Sequence, residues 1–264
     1  MMTLNLLQII VLVANVAFLP AIVSGFTAIN KPQSIASSFL NAEKDDGGDD
    51  SSKGGKSTKS LFDSDAWKNI KSDLDKVPVF TVATKEGNPL AYTIEIGGKG
   101  EFSVPCFYCD VDAALSELTG ARENANDPDM KEGLDIIPFP LGQAFQLWSN
   151  DQAVIVPSKN AIQQAGAPPN TNPIGQQVPM FACMEIAEEQ EDGTPRLPVF
   201  LSLEDANAAL KEAVDSDGGD EDDFEVVCLS LSGVVAQLAT VPETPAFHFI
   251  PPSTSMKYIQ EYLS

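Results

Sequence analysis

The chain of 264 residues has one histidine, His248, and 16 Lys and Arg against 38 Asp and Glu, a formal net charge of −22 at pH 7. So few bases exclude nucleic acid and anionic membrane surfaces as principal partners, because both are held through clustered Lys and Arg. The four cysteines contain a single C-x-x-C and no second one, so the chain lacks the ligand spacing of a zinc site and no metal is expected. There is no Walker loop, no G-x-G-x-x-G and no G-x-S-x-G. Their absence removes the usual cradles for nucleotides and the usual elbow of a serine hydrolase, so no cofactor is expected. Asp215 to Asp223 has the residue types of a calcium loop without its spacing or closing Glu. His248, between Phe247 and Phe249 in a predicted strand, reads as a core or sheet-face residue, since a catalytic base needs a nucleophile within reach.

Charge is wholly missing from residues 1–25, and Leu4 to Val23 is almost entirely apolar. This reads as a secretory signal peptide, with Val23 and Gly25 at the minus-three and minus-one positions of a cleavage site, although a basic leading region is lacking. An uncleaved anchor is the competing reading, which Asn15, Pro20 and the small residues before Phe26 weaken. Residues 26–60 cannot build a core: the first part, Phe26 to Asn41, carries one Lys and three Ser without an acid, and the rest is a Gly, Ser, Asp and Lys tract. A signal joined to a transit-like stretch, with Gly25 and Phe26 at the junction, has the form of the bipartite address of secondary plastids. A plain linker after a signal is the alternative. The five Lys and five acids of residues 26–60 leave 33 acids against 11 bases in residues 61–264. Such a surface favours basic ligands, including positively charged targeting peptides, and also serves solubility at the acidic runs Glu185 to Asp192 and Asp215 to Asp223.

Within 61–264 the sequence repeats itself. VPVF at Val77 answers VPMF at Val178, and VPCF at Val104 answers LPVF at Leu197. DIIPFPLGQAFQLW from Asp135 answers EVVCLSLSGVVAQL from Glu225, and AVIVPSKNAIQQA from Ala153 answers FHFIPPSTSMKYIQEYL from Phe247. The expected architecture is α+β and internally duplicated: two pseudo-twofold-related β-β-α-β-α-β-α halves, 77–166 and 178–263, sharing a mixed sheet. Trp67, Ile70 and Leu74 predict an amphipathic helix ahead of the first half, capped by Asp63 or Ser64. Ala114, Leu115 and Leu118 predict the buried stripe of the helix after Asp110; Ala206, Leu210 and Val214 do so for its counterpart. An acidic turn is expected at Glu188, and Ala167 to Gln177 links the halves.

One arrangement points towards catalysis. Cys106 and Cys109 fall where a strand enters a helix, as a thioredoxin-like pair would, so a thiol-disulfide oxidoreductase is the alternative function. Against it, the other repeat places Val199 and Ser202 at the matching sites, and a strand sends residues three apart to opposite faces.

The repeated V-P-x-F strands, the acidic helix after L-P-V-F at Leu197, and PFPLGQAFQLW followed by AVIVPSK resemble the twenty-two-kilodalton subunit family of the Tic translocon, the inner-envelope import machinery of chloroplasts. The resemblance covers roughly residues 62–263. It implies a non-enzymatic, chaperone-like component of protein import, resident in the envelope intermembrane space of a plastid. The implied partners are preproteins or other unfolded polypeptides and translocon subunits, with at most peripheral membrane association. The family supplies no catalytic residue. Extended peptides need exposed apolar surface at edge strands or grooves. Phe80, Phe107, Phe181 and Phe200 are the candidate contacts, against the preference of such aromatics for the core.

Overall fold

The structure, a computed structural model, describes residues 62, 64–95, 101–189, 195–217, 224–240 and 247–263. Helix α1 (Asp65–Leu74) opens on Ser64, whose hydroxyl accepts from the Trp67 amide at 3.1 Å, and it buries Trp67, Ile70 and Leu74. The cap satisfies one of the free amides of the first turn, and the three apolar residues form one stripe at helical spacing.

Strands β1 (Pro78–Ala83), β2 (Ala91–Glu95), β3 (Glu101–Tyr108), β4 (Asp135–Pro140) and β5 (Val154–Val156) make the first sheet. Helix α2 (Val111–Asn124), the short α3 (Pro128–Gly133), α4 (Leu141–Ser149) and α5 (Lys159–Gln164) lie between and after them. The second sheet holds β6 (Pro179–Cys183), β7 (Glu188–Glu189), β8 (Pro195–Phe200), β9 (Val226–Ser230) and β10 (Phe247–Ile250), with α6 (Leu203–Asp217), α7 (Leu231–Thr240) and α8 (Ser253–Leu263).

The two sheets have the same order of strands. The first runs β2-β3-β1-β4, with β5 parallel to β3; the second runs β7-β8-β6-β9, with β10 parallel to β8. Beyond those two parallel pairs the strand pairings are antiparallel. A single mixed sheet shared by the two halves is therefore corrected to two mixed sheets. The reason lies in the alternation of side chains: Val77, Val79 and Phe107 from the first half join Met180, Leu197, Val199, Leu229, Phe247 and Phe249 from the second in one buried cluster. Helices α1, α4 and α7 contribute Trp67, Phe145 and Val235 to the same cluster. Faces, and not edges, bring the halves together.

The other face of each sheet is covered partly by the opposite half. Tyr258 and Ile259 of α8 pack on the first sheet's outer cluster with Phe80, Val82, Tyr108 and Leu118. Ala161 of α5 packs with Phe181, Phe200 and Ala206 on the second. Each half thus lends its last helix to the other.

Registers correct one expected equivalence. Phe80 pairs with Tyr108 and Phe181 with Phe200, while Tyr108 faces Val156 and Phe200 faces Ile250. Tyr108 therefore answers Phe200, one residue away from the match of VPCF to LPVF. The counterparts of Cys106 and Cys109 become Pro198 and Leu201, not Val199 and Ser202. A shift of one residue exchanges the faces of a strand, and burial supports the corrected register: Phe107 and Val199 both enter the shared core. Ser202 answers Asp110 instead, and both cap helices: Asp110 accepts from the Asp112 amide and Ser202 from that of Asp205.

Two further expectations change. Val111, not the part-exposed Leu115, completes the buried stripe of α2 with Ala114 and Leu118. Glu188 lies in strand β7, paired with Arg196, and not in a turn. Asp215 to Asp217 continue helix α6, so the acidic run there begins as helix. Helix α3 is an additional element, started by Asp127, which caps the Asp129 amide, and by Pro128 in the first turn.

Candidate polypeptide-binding surface

The C-x-x-C is built into the interior. Cys106 and Cys109 are each 2% exposed and neither is in a disulfide. Cys106 belongs to the outer cluster of the first sheet and Cys109 to the core between the sheets. The strand's alternation thus sends the two sulfurs to different faces, as residues three apart require. Burial pushes the Cys106 thiol up to about 11, and Glu117 nearby adds to it; burial pushes Cys109 up to about 12, with Asp110 adding its charge. Thiol exchange runs through an accessible thiolate of lowered pKa, and these two groups are shifted the other way.

The four phenylalanines are interior as well, with Phe80, Phe107, Phe181 and Phe200 all 6% exposed or less. Phe80 meets Tyr258 edge-on at 5.8 Å, and Phe107 stacks on Phe139 at 4.6 Å. They hold the halves together and do not present themselves to a partner, which corrects their assignment as contacts. Gly25 and Phe26, the expected targeting junction, lie outside the described residues.

A different surface stands at the end of the second sheet. Beside β10 and α8 an open groove of about 540 Å³ is lined by Asp205, His248, Ile250, Ser253, Met256 and Lys257, among others. Strand alternation builds it: Phe247 and Phe249 enter the core while His248 and Ile250 turn outwards. Asp205 of α6 fixes the far wall, accepting from the Ser253 amide at the start of α8 at 2.9 Å. Met256 is 37% exposed and supplies a flexible apolar contact. The sequence signal for this groove was the Pro-Pro step at Pro251 and Pro252, which ends β10 and turns the chain into α8.

His248 Nδ1 lies 2.6 Å from a Glu188 carboxylate oxygen. Its partner is a carboxylate and not a nucleophile, so the contact is a hydrogen bond between imidazole and carboxylate and no Ser-His or Cys-His set is formed there. Among the described residues no three His, Cys, Asp or Glu side chains gather as a metal site, and no helix is long and apolar enough to cross a membrane.

The lining of the groove combines apolar side chains, Ile250 and Met256, with the charged Asp205 and Lys257. Comparison with curated proteins gives no match. Among solved structures, Tic22 of Anabaena, described as a protein of protein transport, superposes with a TM-score of 0.56 at 22% identity, covering 74% of this chain and 96% of that one. Tic22 from Plasmodium falciparum superposes with a TM-score of 0.56 at 18% identity, covering 74% of this chain and 97% of the other. These likenesses establish the fold, an α+β body with two sheets. The sequence model of the Tic22-like family matches residues 49–262, which take in both sheets and the helix before them, and the chain therefore belongs to the Tic22-like family.

Proposed function

We propose that this protein is a non-enzymatic, chaperone-like component of protein import into plastids that binds preproteins in transit and works beside translocon subunits in the envelope intermembrane space. The family match over residues 49–262 carries the reading. The groove beside β10 supports it with a surface for extended chain, and the buried cysteines argue against the redox alternative. Residues 1–25 as signal and 26–60 as transit-like linker would deliver the folded part, 61–264, to a secondary plastid, with halves 77–166 and 178–263 related by a pseudo-twofold.

The test is photo-crosslinking in isolated organelles arrested during import, from a probe placed at Met256. Recovery of precursors in transit together with translocon subunits is the expected result. Recovery of metabolic enzymes alone, or of nothing, with the protein shown to be present and folded, overturns the reading.

A further inference from the structure

Strands β4 and β9 hold the same place in the two sheets, and among the described residues each pairs on one side only, β4 with β1 and β9 with β6. Their registers match residue for residue. Phe80 faces Pro138 and Phe181 faces Cys228, so Pro138 answers Cys228, Pro140 answers Ser230 and Ile136 answers Val226. The Leu141 amide donates to the Val77 carbonyl and the Leu231 amide to the Val178 carbonyl, each at 2.9 Å, which sets the phase of both ladders. Antiparallel pairing alternates, so residues 136, 138 and 140 of β4 and residues 226, 228 and 230 of β9 turn their backbone groups away from the partner strand, towards the edge.

The edge of β4 is closed to a further strand. Pro138 and Pro140 have no N–H, the Ile136 amide donates to Asp135 Oδ1 at 2.9 Å, and the Leu134 carbonyl accepts from Arg122 Nη2 at 2.6 Å. Strand β9, VVCLS, has no proline, and Ser230 uses its hydroxyl, not its amide, to cap the Gly233 amide of α7 at 3.1 Å. The duplicated fold thus blunts one of two equivalent edges and leaves the other with its donors.

We propose that the open edge of β9 takes an added strand, and that this strand is an extended, basic segment of a client polypeptide. The proposal rests on the polypeptide-binding reading above and gives it a mode: main-chain pairing attracts without regard to sequence, and the flanking side chains choose the segment. Apolar layers reach this edge on both faces. Val227 and Leu229 lie with Leu238 and Ala239 of α7 on the inner side, and Val226 and Cys228 with Ala209 of α6 on the outer side. A strand of branched residues therefore finds apolar neighbours whichever way each side chain points. No charged residue lies in β6, β9 or α7, while Glu225 at the head of β9 and Glu185, two residues past the partner of Val226, are exposed carboxylates. That charge suits Lys or Arg beside the paired segment. It disfavours a second copy of this chain, which would bring a net charge of −22 to the same edge.

The test adds a synthetic peptide, a short run of Val and Ile between lysines, to the full chain and follows hydrogen exchange of the Val226 and Cys228 amides. Saturating peptide should slow both about tenfold or more, while the Ile136 amide at the closed edge is unchanged. Cys228→Pro, which copies Pro138, should weaken binding about tenfold, and Cys228→Ala should not. The same peptide N-methylated through its apolar run keeps its side chains and loses its donors, so it should fail to protect the edge of the unaltered protein. Binding that leaves Val226 and Cys228 exchange unchanged, or that is indifferent to N-methylation, overturns the edge proposal and spares the polypeptide-binding reading. Absence of any binding overturns both. Protection of the two amides that grows with protein concentration in the absence of peptide assigns the edge to a second copy and overturns the proposal.

Discussion

A buried thiol and a reactive thiol make opposite demands on their surroundings, and Cys106 and Cys109 meet the first. Their neutral forms are favoured in the folded protein, with pKa values pushed by burial from 9.0 to about 11 and about 12. The folded state therefore holds protons that the unfolded chain gives up near the ordinary thiol range. Stability from this source is complete below about pH 8.5 and falls as pH rises towards the folded values. In the native protein at pH 8, Cys106 and Cys109 should modify with a thiol reagent at rates limited by opening of the fold, and all four cysteines should react at once in denaturant. The Cys106→Ala, Cys109→Ala double variant should keep import activity at a cost of about 1–3 kcal/mol in stability. Disulfide exchange by the wild type above that of a free thiol would contradict this account. The pair was readable in sequence as a motif, and the period-2 argument against it was readable too. The exact counterparts in the other half were not, because Cys106 and Phe107 are both apolar and both buried, and the register shows only in the face each enters, the outer cluster for Cys106 and the shared core for Phe107.

Elements with a cap or a strict period were legible: Ser64 and the stripe of α1, and the strands at Val77, Val178 and Asp135. Helix α3 went unread because six residues are too few to show a period, although Asp127-Pro128 is an initiation signal. The groove was not legible as such, since it is made by Asp205, His248 and Met256 from three elements. Nor does a strand pattern reveal whether two halves meet by edges or by faces. The packing of α1 on α4 is set by a glycine. A Cβ at Gly142 would stand 2.6 Å from Asp75 Oδ1 and 2.8 Å from the Lys71 carbonyl oxygen. Asp75 cannot simply withdraw, because Oδ1 accepts from the Gln143 amide at 3.1 Å and Oδ2 meets Lys71 Nζ at 2.5 Å. Gly142→Ala should therefore destabilise by about 1–3 kcal/mol despite the better helix propensity of alanine. Gly120→Ala in α2, where a Cβ meets nothing within 4 Å, should stabilise by up to about 1 kcal/mol. Urea unfolding midpoints that move the same way for both variants would show that Gly142 is not a packing constraint.

At the scale of the molecule, the shared core and the exchange of α5 and α8 make the halves mutually dependent, while charge governs how the outside meets a partner. Residues 61–264 hold 33 acids and 11 bases, so a basic, extended polypeptide approaches through an attractive field before any apolar contact is made. Carboxylates at Asp205 and Glu188 place part of that field at the groove and its rim. The attraction is screened: the Debye length falls from about 10 Å at 0.1 M salt to about 3 Å at 1 M. Binding of an unfolded basic peptide, followed by fluorescence anisotropy, should weaken steadily over that range, chiefly through slower association. An uncharged apolar peptide of the same length should bind with little salt dependence, because burial of Met256 and Ile250 does not rest on charge. Met256→Asp should weaken the apolar peptide more than the basic one, since the new carboxylate removes apolar contact from the first and adds attraction for the second. Salt-independent binding of the basic peptide, or equal losses for both peptides in the Met256 variant, would separate the acidic surface from the polypeptide-binding role.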